Sequence, residues 1–348
     1  MTKSQAFSDK NYLLSRVGSI SQIAGPRRYI LADGAAAGVE AVDIRTGSGL
    51  EFTVLPGRGM DIAWASYKGL PLSFISQTGV TAPEYYNYEG LQWLRGFFGG
   101  LLTTCGLLNV GPPCEEEHPI MGLRKHSQHG RITHTKAENV CVTDDWADGS
   151  YVMSVSGRLR EASLFGENLT LTRTVTAKLG ENRFIFKDTV ENHAPASSPF
   201  MLLYHINLGY PLLDEGSEIV CSSDVTPRDE AAAKYADEYT KMDGPTSGRP
   251  EEVFFHDVRA DAEGISCVKL INRKLGIGAY LKYPKAELGC LTEWKNLGWG
   301  EYTLGLEPGN CYPVSQAQLR REGKLEFLQP GEKKVFNVEF GVLDEGEF

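Results

Sequence analysis

A carboxylate stands near the C-terminal end of this 348-residue chain, in the stretch Leu304-Gly305-Leu306-Glu307-Pro308-Gly309-Asn310. Residues 302–306 read as a strand. Pro308 lacks a ladder donor and biases Glu307 towards extended backbone. The spacing therefore predicts Glu307 at a strand end, with Pro308-Gly309 turning the chain behind it. Beside Leu306 and a proline its carboxyl is expected to be partly desolvated, which raises its pKa towards values useful to a general base. Histidine is the natural acid partner, and the chain has seven, at 118, 126, 129, 134, 193, 205 and 256. His205 lies in Leu202-Leu203-Tyr204-His205-Ile206-Asn207-Leu208-Gly209-Tyr210. On a strand His205, Asn207 and Gly209 share one face, and Tyr204, Ile206 and Leu208 share the other. A polar face on an otherwise apolar strand points to a polar cavity, where an imidazole can exchange protons near neutral pH. The bland alternatives are a surface Glu before a turn and a core His bonded to a backbone carbonyl.

Other groups could hold a ligand. His126-x2-His129-x4-His134 has metal-like density. On a strand His129 has the opposite parity to both neighbours, and no carboxylate pair completes a set, so no metal is expected. His129-Gly130-Arg131 reads better as a turn-to-strand corner that donates to a ligand. Arg58 stands between Gly57 and Gly59, either letting backbone approach a ligand closely or making a tight turn. Residues 78–131 break the strand rhythm with Gly, Pro and aromatic residues, among them Trp93-Leu94-Arg95-Gly96-Phe97-Phe98-Gly99-Gly100. Long irregular segments of this kind tend to carry function. Aromatic rings there suit sugars, whose C–H faces stack while polar neighbours take the hydroxyls.

The elements that must position these groups are mostly strands. Short β-branched or aromatic runs at 28–31, 41–45 and 51–55 are separated by turn residues. Clean alternation marks 151–159, 169–176 and 183–190, and further strands are expected at 268–271, 277–281 and 335–342. Helix is scarce, with candidates at 9–17 and 229–241. The pattern predicts an all-β antiparallel sandwich or barrel in one domain, 1–348, with 1–27 packing on it as an N-terminal extension. Formal net charge is −10, which argues against duplex nucleic acid and anionic membranes as partners and favours a small neutral or weakly charged substrate. No signal-peptide core and no run of about 18 apolar residues is present. Seven scattered cysteines without CxxC spacing fit a reducing cytoplasm. Nothing in the pattern sets the oligomeric state.

With Glu307, His205 and His129 in place, the chain resembles the aldose 1-epimerase (galactose mutarotase-like) family, in a less characterised branch. The segments that carry the likeness are Gly57-Arg58-Gly59-Met60-Asp61-Ile62, Trp93-Leu94-Arg95-Gly96-Phe97-Phe98-Gly99-Gly100-Leu101, His129-Gly130-Arg131, His205-Ile206-Asn207-Leu208-Gly209-Tyr210-Pro211 and Gly305-Leu306-Glu307-Pro308. The resemblance implies a β-sandwich of the supersandwich type with few short helices. It also implies anomer interconversion of an aldose, with Glu307 as general base, His205 as general acid and no cofactor. His129 is implied near the ring oxygen, with Arg58 or Arg95 on hydroxyls, and Asn207, Asp61 and Trp93 in the same site. The founding enzymes place two more residues between the acid His and its Asn, and their sugar-binding Asp has no counterpart here. Glu293-Trp294-Lys295 stands before the Glu307 strand instead, which makes Lys295 a further binding candidate. The sugar is left open, an anionic one included, because Arg58, Arg95 and Arg131 lie near these motifs. Two other readings use the same pocket: a carbohydrate-binding protein without turnover, and a keto-sugar or uronate isomerase. A glycosidase lacks the second carboxylate it needs.

Overall fold

The computed structural model describes residues 9–348; the first eight residues of the proposed extension lie outside the described residues. The alternating runs form two large antiparallel sheets. The twelve-stranded sheet has a central path Gly25–Ile30, Glu40–Arg45, Leu50–Leu55, Asp61–Tyr67, Leu102–Leu107, Ser198–Leu208, Glu301–Gly309, Cys290–Gly298, Glu252–Val258 and Ser223–Pro227. The eight-stranded sheet runs Glu218–Cys221, Ile265–Asn272, Ile277–Pro284, Lys333–Asp344, Arg183–Asn192, Asn168–Lys178, Ser150–Ala162 and Glu138–Ala147. A separate ribbon pairs Cys114–His118 with Gly122–His126.

The sheets meet face to face through ring pairs: Phe52 with Phe184 at 4.3 Å, Phe186 with Tyr204 at 5.0 Å and Phe200 with Phe336 at 5.8 Å between centroids. Each such fully buried side chain is worth roughly 1.5–3 kcal/mol over exposure. Leu13, Ile20 and Ala24 join the same core. The strand Ser198–Leu208 is buried on both faces. Tyr204, Ile206 and Leu208 enter the core between the sheets. Met201 and Leu203 point the other way, into a smaller cluster with Trp93, Phe97, Cys105, Val110, Leu319 and Leu325. His205 and Asn207 share this second face, which is covered by the irregular segment.

Two expectations change. The helix expected at 229–241 is only Glu230–Ala233, followed by a 3₁₀ turn at Ala236–Glu238. Lys295 Nζ draws the carbonyls of Glu238, Tyr239 and Lys241 to 3.1–3.3 Å, so these acceptors serve a buried ammonium rather than a helical ladder. Likewise, Pro308-Gly309 does not turn the chain: the strand Glu301–Gly309 runs through both residues. The expected N-terminal helix at 9–17 is present as Lys10–Leu14, capped by Asp9 accepting from the Tyr12 N–H at 2.9 Å.

Candidate active site

A cavity of about 640 Å³ opens on the outer face of the twelve-stranded sheet. Three adjacent strands supply its floor. Ile206 pairs with Leu306 and Leu203 with Gly309, so His205 faces Glu307 across the strand boundary. On the other side Glu307 pairs with Thr292. Alternation along Cys290–Gly298 then brings Thr292, Trp294 and Asn296 to the cavity, and all three line it. Trp93 and Phe97 close one wall, from the 3₁₀ segment Gly90–Gly96 and the residue that caps it. Gln128 and His129 close another.

The chemical centre is the His205–Glu307 pair. His205 Nε2 lies 3.1 Å from Glu307 Oε1, and both side chains are almost wholly buried. Aromatic rings pack around the imidazole: Phe97 at 5.1 Å, Trp294 at 5.2 Å and His129 at 5.8 Å between centroids. Burial raises Glu307 well above the usual carboxylate range, helped by the nearby Glu251 charge and opposed by Arg228. Burial holds His205 down at about 3, reinforced by His129 and opposed by Asn207. Burial thus disfavours the charged form of both groups, pushing the carboxyl up and the imidazole down. The general base and general acid that the resemblance implies would each carry a charge that this burial disfavours.

His129 sits at a corner with φ of 53°. Its backbone N–H donates to Gly111 O at 3.0 Å, and its carbonyl accepts from Gly106 N–H at 2.9 Å. Gly130 follows because a Cβ there would lie 2.2 Å from Gly106 O. Gly111 N–H donates to His129 Nδ1 at 3.4 Å. Burial lowers His129 to about 4, so the neutral ring carries its proton on Nε2 and can donate from it.

Fifteen buried side-chain atoms of the described residues lack a hydrogen-bond partner, and five belong to cavity residues: Trp93 Nε1, Gln128 Oε1, His205 Nδ1, Thr292 Oγ1 and Glu307 Oε1, the last touching only His205 Nε2 in an ion-pair contact at 3.1 Å. An unpaired buried polar atom costs roughly 1–3 kcal/mol. Five such atoms on residues lining one cavity suit a polar ligand. At the cavity edge Trp294 Nε1–H donates to Glu251 Oε2 at 2.8 Å, and Arg228 bridges Glu251 and Asp229, each at 2.8 Å.

Of the binding residues expected from sequence, His129 and Trp93 line the cavity with His205 and Glu307; the other five do not. Arg58 is fully buried behind the wall, donating to Gly96 O at 2.6 Å and to His134 Nε2 at 2.8 Å. Its flanking glycines allow backbone to approach backbone, not ligand: a Cβ on Gly57 would lie 2.3 Å from Glu40 N. Asp61 faces the core between the sheets, accepting from Thr104 and Thr133 near Arg173. Asn207 Nδ2 is spent on the carbonyls of Gly99, Gly100 and His205. Arg95 is exposed and donates to Gln92. Lys295 points away from Trp294 and Asn296, towards Glu252. His134 is bound by Arg58, while His126 and Arg131 line a separate cavity of about 280 Å³. Among the described residues no group of three or more His, Cys, Asp or Glu is placed to hold a metal. No described helix is long and apolar enough to cross a membrane.

Residues 36–342 match the model of a family described as a domain of unknown function, DUF4432. The chain belongs to the DUF4432 family. No curated protein sequence matches it. Among solved structures, a protein of Klebsiella pneumoniae, described provisionally as an aldose 1-epimerase, is 25% identical. That match covers 91% of this chain and 83% of the other, with a TM-score of 0.85. A galactose mutarotase-like protein of Clostridium acetobutylicum is 12% identical over 93% and 99%, TM-score 0.61. A galactose 1-epimerase of Lactobacillus acidophilus is 14% identical over 92% and 99%, TM-score 0.59. This DUF4432 chain therefore has the galactose mutarotase-like fold that the motifs implied, with few short helices.

Trp294, Thr292, Gln128, Phe97 and the Arg228–Glu251 pair went unassigned in the sequence. The motif Glu293-Trp294-Lys295 held one of them. Strand parity separates Trp294 from its two charged neighbours once Thr292 is known to pair with Glu307.

Proposed function

We propose that this DUF4432 protein is a sugar mutarotase, an isomerase that interconverts the anomers of an aldose by acid/base ring opening. The observation that carries the reading is the buried His205–Glu307 pair, 3.1 Å apart on adjacent strands at the floor of a cavity whose lining has unpaired polar atoms. The reaction needs one base and one acid on opposite sides of a hemiacetal, and its organic chemistry calls for no cofactor.

A sugar entering the floor solvates the Glu307 carboxyl with its hydroxyls. The 3.1 Å contact lets the shared proton pass to His205 as that happens. Glu307 then takes the proton of the anomeric hydroxyl, and His205 gives its proton to the ring oxygen. The C1–O5 bond breaks, leaving an open-chain aldehyde. After rotation about C1–C2 the hydroxyl adds back to the other face of the aldehyde. His205 recovers its proton and Glu307 returns its own, so the pair ends as it began. His129 Nε2–H, the Trp93 indole N–H and Thr292 supply hydrogen bonds to the sugar's oxygens, and Trp294 and Phe97 offer rings to its C–H faces. Holding the substrate in this geometry is worth up to about 7–11 kcal/mol at the limit.

The test is exchange NMR of α and β anomers across a panel of sugars, with and without protein. Acceleration that vanishes in Glu307→Gln supports the reading. Sugar binding with no acceleration replaces it with a binding function. Solvent deuterium entering at C2 replaces it with a keto-sugar isomerase.

A further inference from the structure

The cavity is larger than the chemistry requires. A single hexopyranose, a dozen non-hydrogen atoms at half of water's roughly 30 Å³ share each, occupies about 180 Å³. The cavity encloses about 640 Å³. Its lining also divides by depth. The deep part holds Trp93, His129, His205, Thr292 and Glu307, all buried. The outer part is formed by the exposed Gln77, Arg228, Glu251 and Glu301 with the half-buried Asn296. Leu91 and Leu94 stand beside them, 58% and 47% exposed, as apolar surface left open at the mouth.

Resting on the mutarotase reading, we infer that the outer part is a second sugar subsite and that the substrate is an uncharged reducing disaccharide or longer oligosaccharide. Mutarotation occurs only at a free anomeric centre, so the reducing unit must occupy the deep part, against the His205–Glu307 pair. The glycosidic bond then carries the next unit outward to the rim.

The rim has the groups that such a unit needs. Gln77 Nε2 and Glu301 Oε1 hold each other at 3.1 Å across the mouth, which fixes both and leaves further acceptors and a donor for hydroxyls. Asn296 Oδ1 accepts from Gly298 N–H at 3.1 Å, so its amide N–H groups are directed elsewhere. Leu91 and Leu94 offer a surface for the ring's C–H face. An anionic group finds no free cation here: the Arg228 guanidinium is already shared by Asp229 and Glu251, and Glu301 adds another negative charge. Arg58 and Arg95 point away from the cavity.

The experiment measures anomer exchange and binding, the latter by tryptophan fluorescence, for the purified full chain. The sugars are maltose, cellobiose, lactose and isomaltose against glucose, galactose and mannose, with glucose 6-phosphate as the anionic arm. The expected result is a kcat/KM for at least one disaccharide about ten-fold or more above that of its reducing-end monosaccharide. In the double variant Asn296→Ala/Glu301→Ala that ratio collapses towards one while the melting temperature stays close to wild type. Monosaccharides turned over as well as or better than every disaccharide would overturn the inference and leave the mutarotase reading standing. Disaccharides bound more tightly than monosaccharides but not turned over would sink the mutarotase reading and keep the subsite. Equal or better turnover of glucose 6-phosphate, or no binding of any disaccharide, overturns the inference.

Discussion

His205 Nε2 stands 3.1 Å from Glu307 Oε1, across the boundary between the strands Ser198–Leu208 and Glu301–Gly309. Neighbouring strands place facing side chains within reach by their spacing alone. The pair thus needs no loop to assemble it, and each member occupies a position that alternation turns away from the core. Replacing Glu307 by Gln keeps the shape and removes the shared proton site. We expect kcat to fall about 10²–10⁴-fold, with the urea midpoint unchanged or raised, since a carboxyl held neutral by burial adds little to stability. His205→Asn should lose activity comparably. Exchange NMR and urea titration on the same samples check both; an unfolded His205→Asn would instead show a core histidine.

The pH profile follows from the one-proton requirement. Activity falls in acid when His205 takes a second proton, and burial pushes that limb far below neutrality, towards about 3. Activity falls in alkali when Glu307 loses its proton, a limb that burial and the Glu251 charge push upward. Glu251→Gln should therefore move the alkaline limb to lower pH, because the negative charge that discourages ionisation is gone. Arg228→Gln should move it to higher pH. Measuring kcat/KM against pH for the three proteins checks the direction of each shift, and limbs that stay in place would separate Glu251 from Glu307.

Much of this arrangement was legible in the sequence. The parity of His205 against Tyr204, Ile206 and Leu208 announced a polar outer face because a strand's period is two and its core side was unmistakably apolar. Glu307 was singled out by its place before Pro308, although the strand runs on through Pro308-Gly309 instead of turning there. What stayed hidden depends on pairing between distant strands. Nothing local says that Thr292 lies opposite Glu307, and without that register Trp294 cannot be told from Lys295. Arg58 misled because a cation between two glycines fits a ligand turn as well as it fits a guanidinium buried under Gly96 and His134. The proton's location was also out of reach, since it depends on how dry the finished pocket is.

Arg58 and Lys295 make a direct test of that sorting. Arg58→Met leaves Gly96 O and His134 Nε2 without their donor, and should cost about 1–3 kcal/mol of stability. Lys295→Met leaves three carbonyls without their donor and Glu252 with Arg249 alone, and should cost as much or more. Both variants are expected to lower the urea midpoint while leaving the pH limbs of kcat/KM where they were. A raised KM at unchanged stability would return either residue to the sugar.

Trp294, on the cavity floor, predicts a different signature. Trp294 packs edge-on against His205 at 5.2 Å, and its indole N–H is tied to Glu251. Trp294→Ala removes a stacking surface while leaving both proton-transfer groups. We expect kcat/KM to fall about ten-fold, equivalent to about 1.4 kcal/mol, mostly through KM. Trp294→Phe should recover part of it. Steady-state exchange rates at several sugar concentrations separate the two parameters.

Stability itself should depend on pH through buried acids away from the cavity. Burial raises Glu161 to about 7 and Asp61 to about 6, above their values of roughly 4 in an unfolded chain. Between those limits the folded state holds protons that the unfolded state releases, so these two groups make stability fall as pH rises from about 4 to 7, with little change beyond. Buried histidines act in the opposite sense: His129, lowered to about 4, costs stability as pH drops below about 6.5, where the unfolded ring charges. The difference between proteins isolates the acid. Glu161→Gln keeps an acceptor for the Leu107 N–H, bound at 3.0 Å in the parent, and cannot ionise. Its stability advantage over wild type should grow from pH 4.5 to pH 8 by up to about 3 kcal/mol. Urea midpoints of both proteins at four pH values measure it, and parallel curves would mean that Glu161 ionises in the folded state as readily as in the unfolded one.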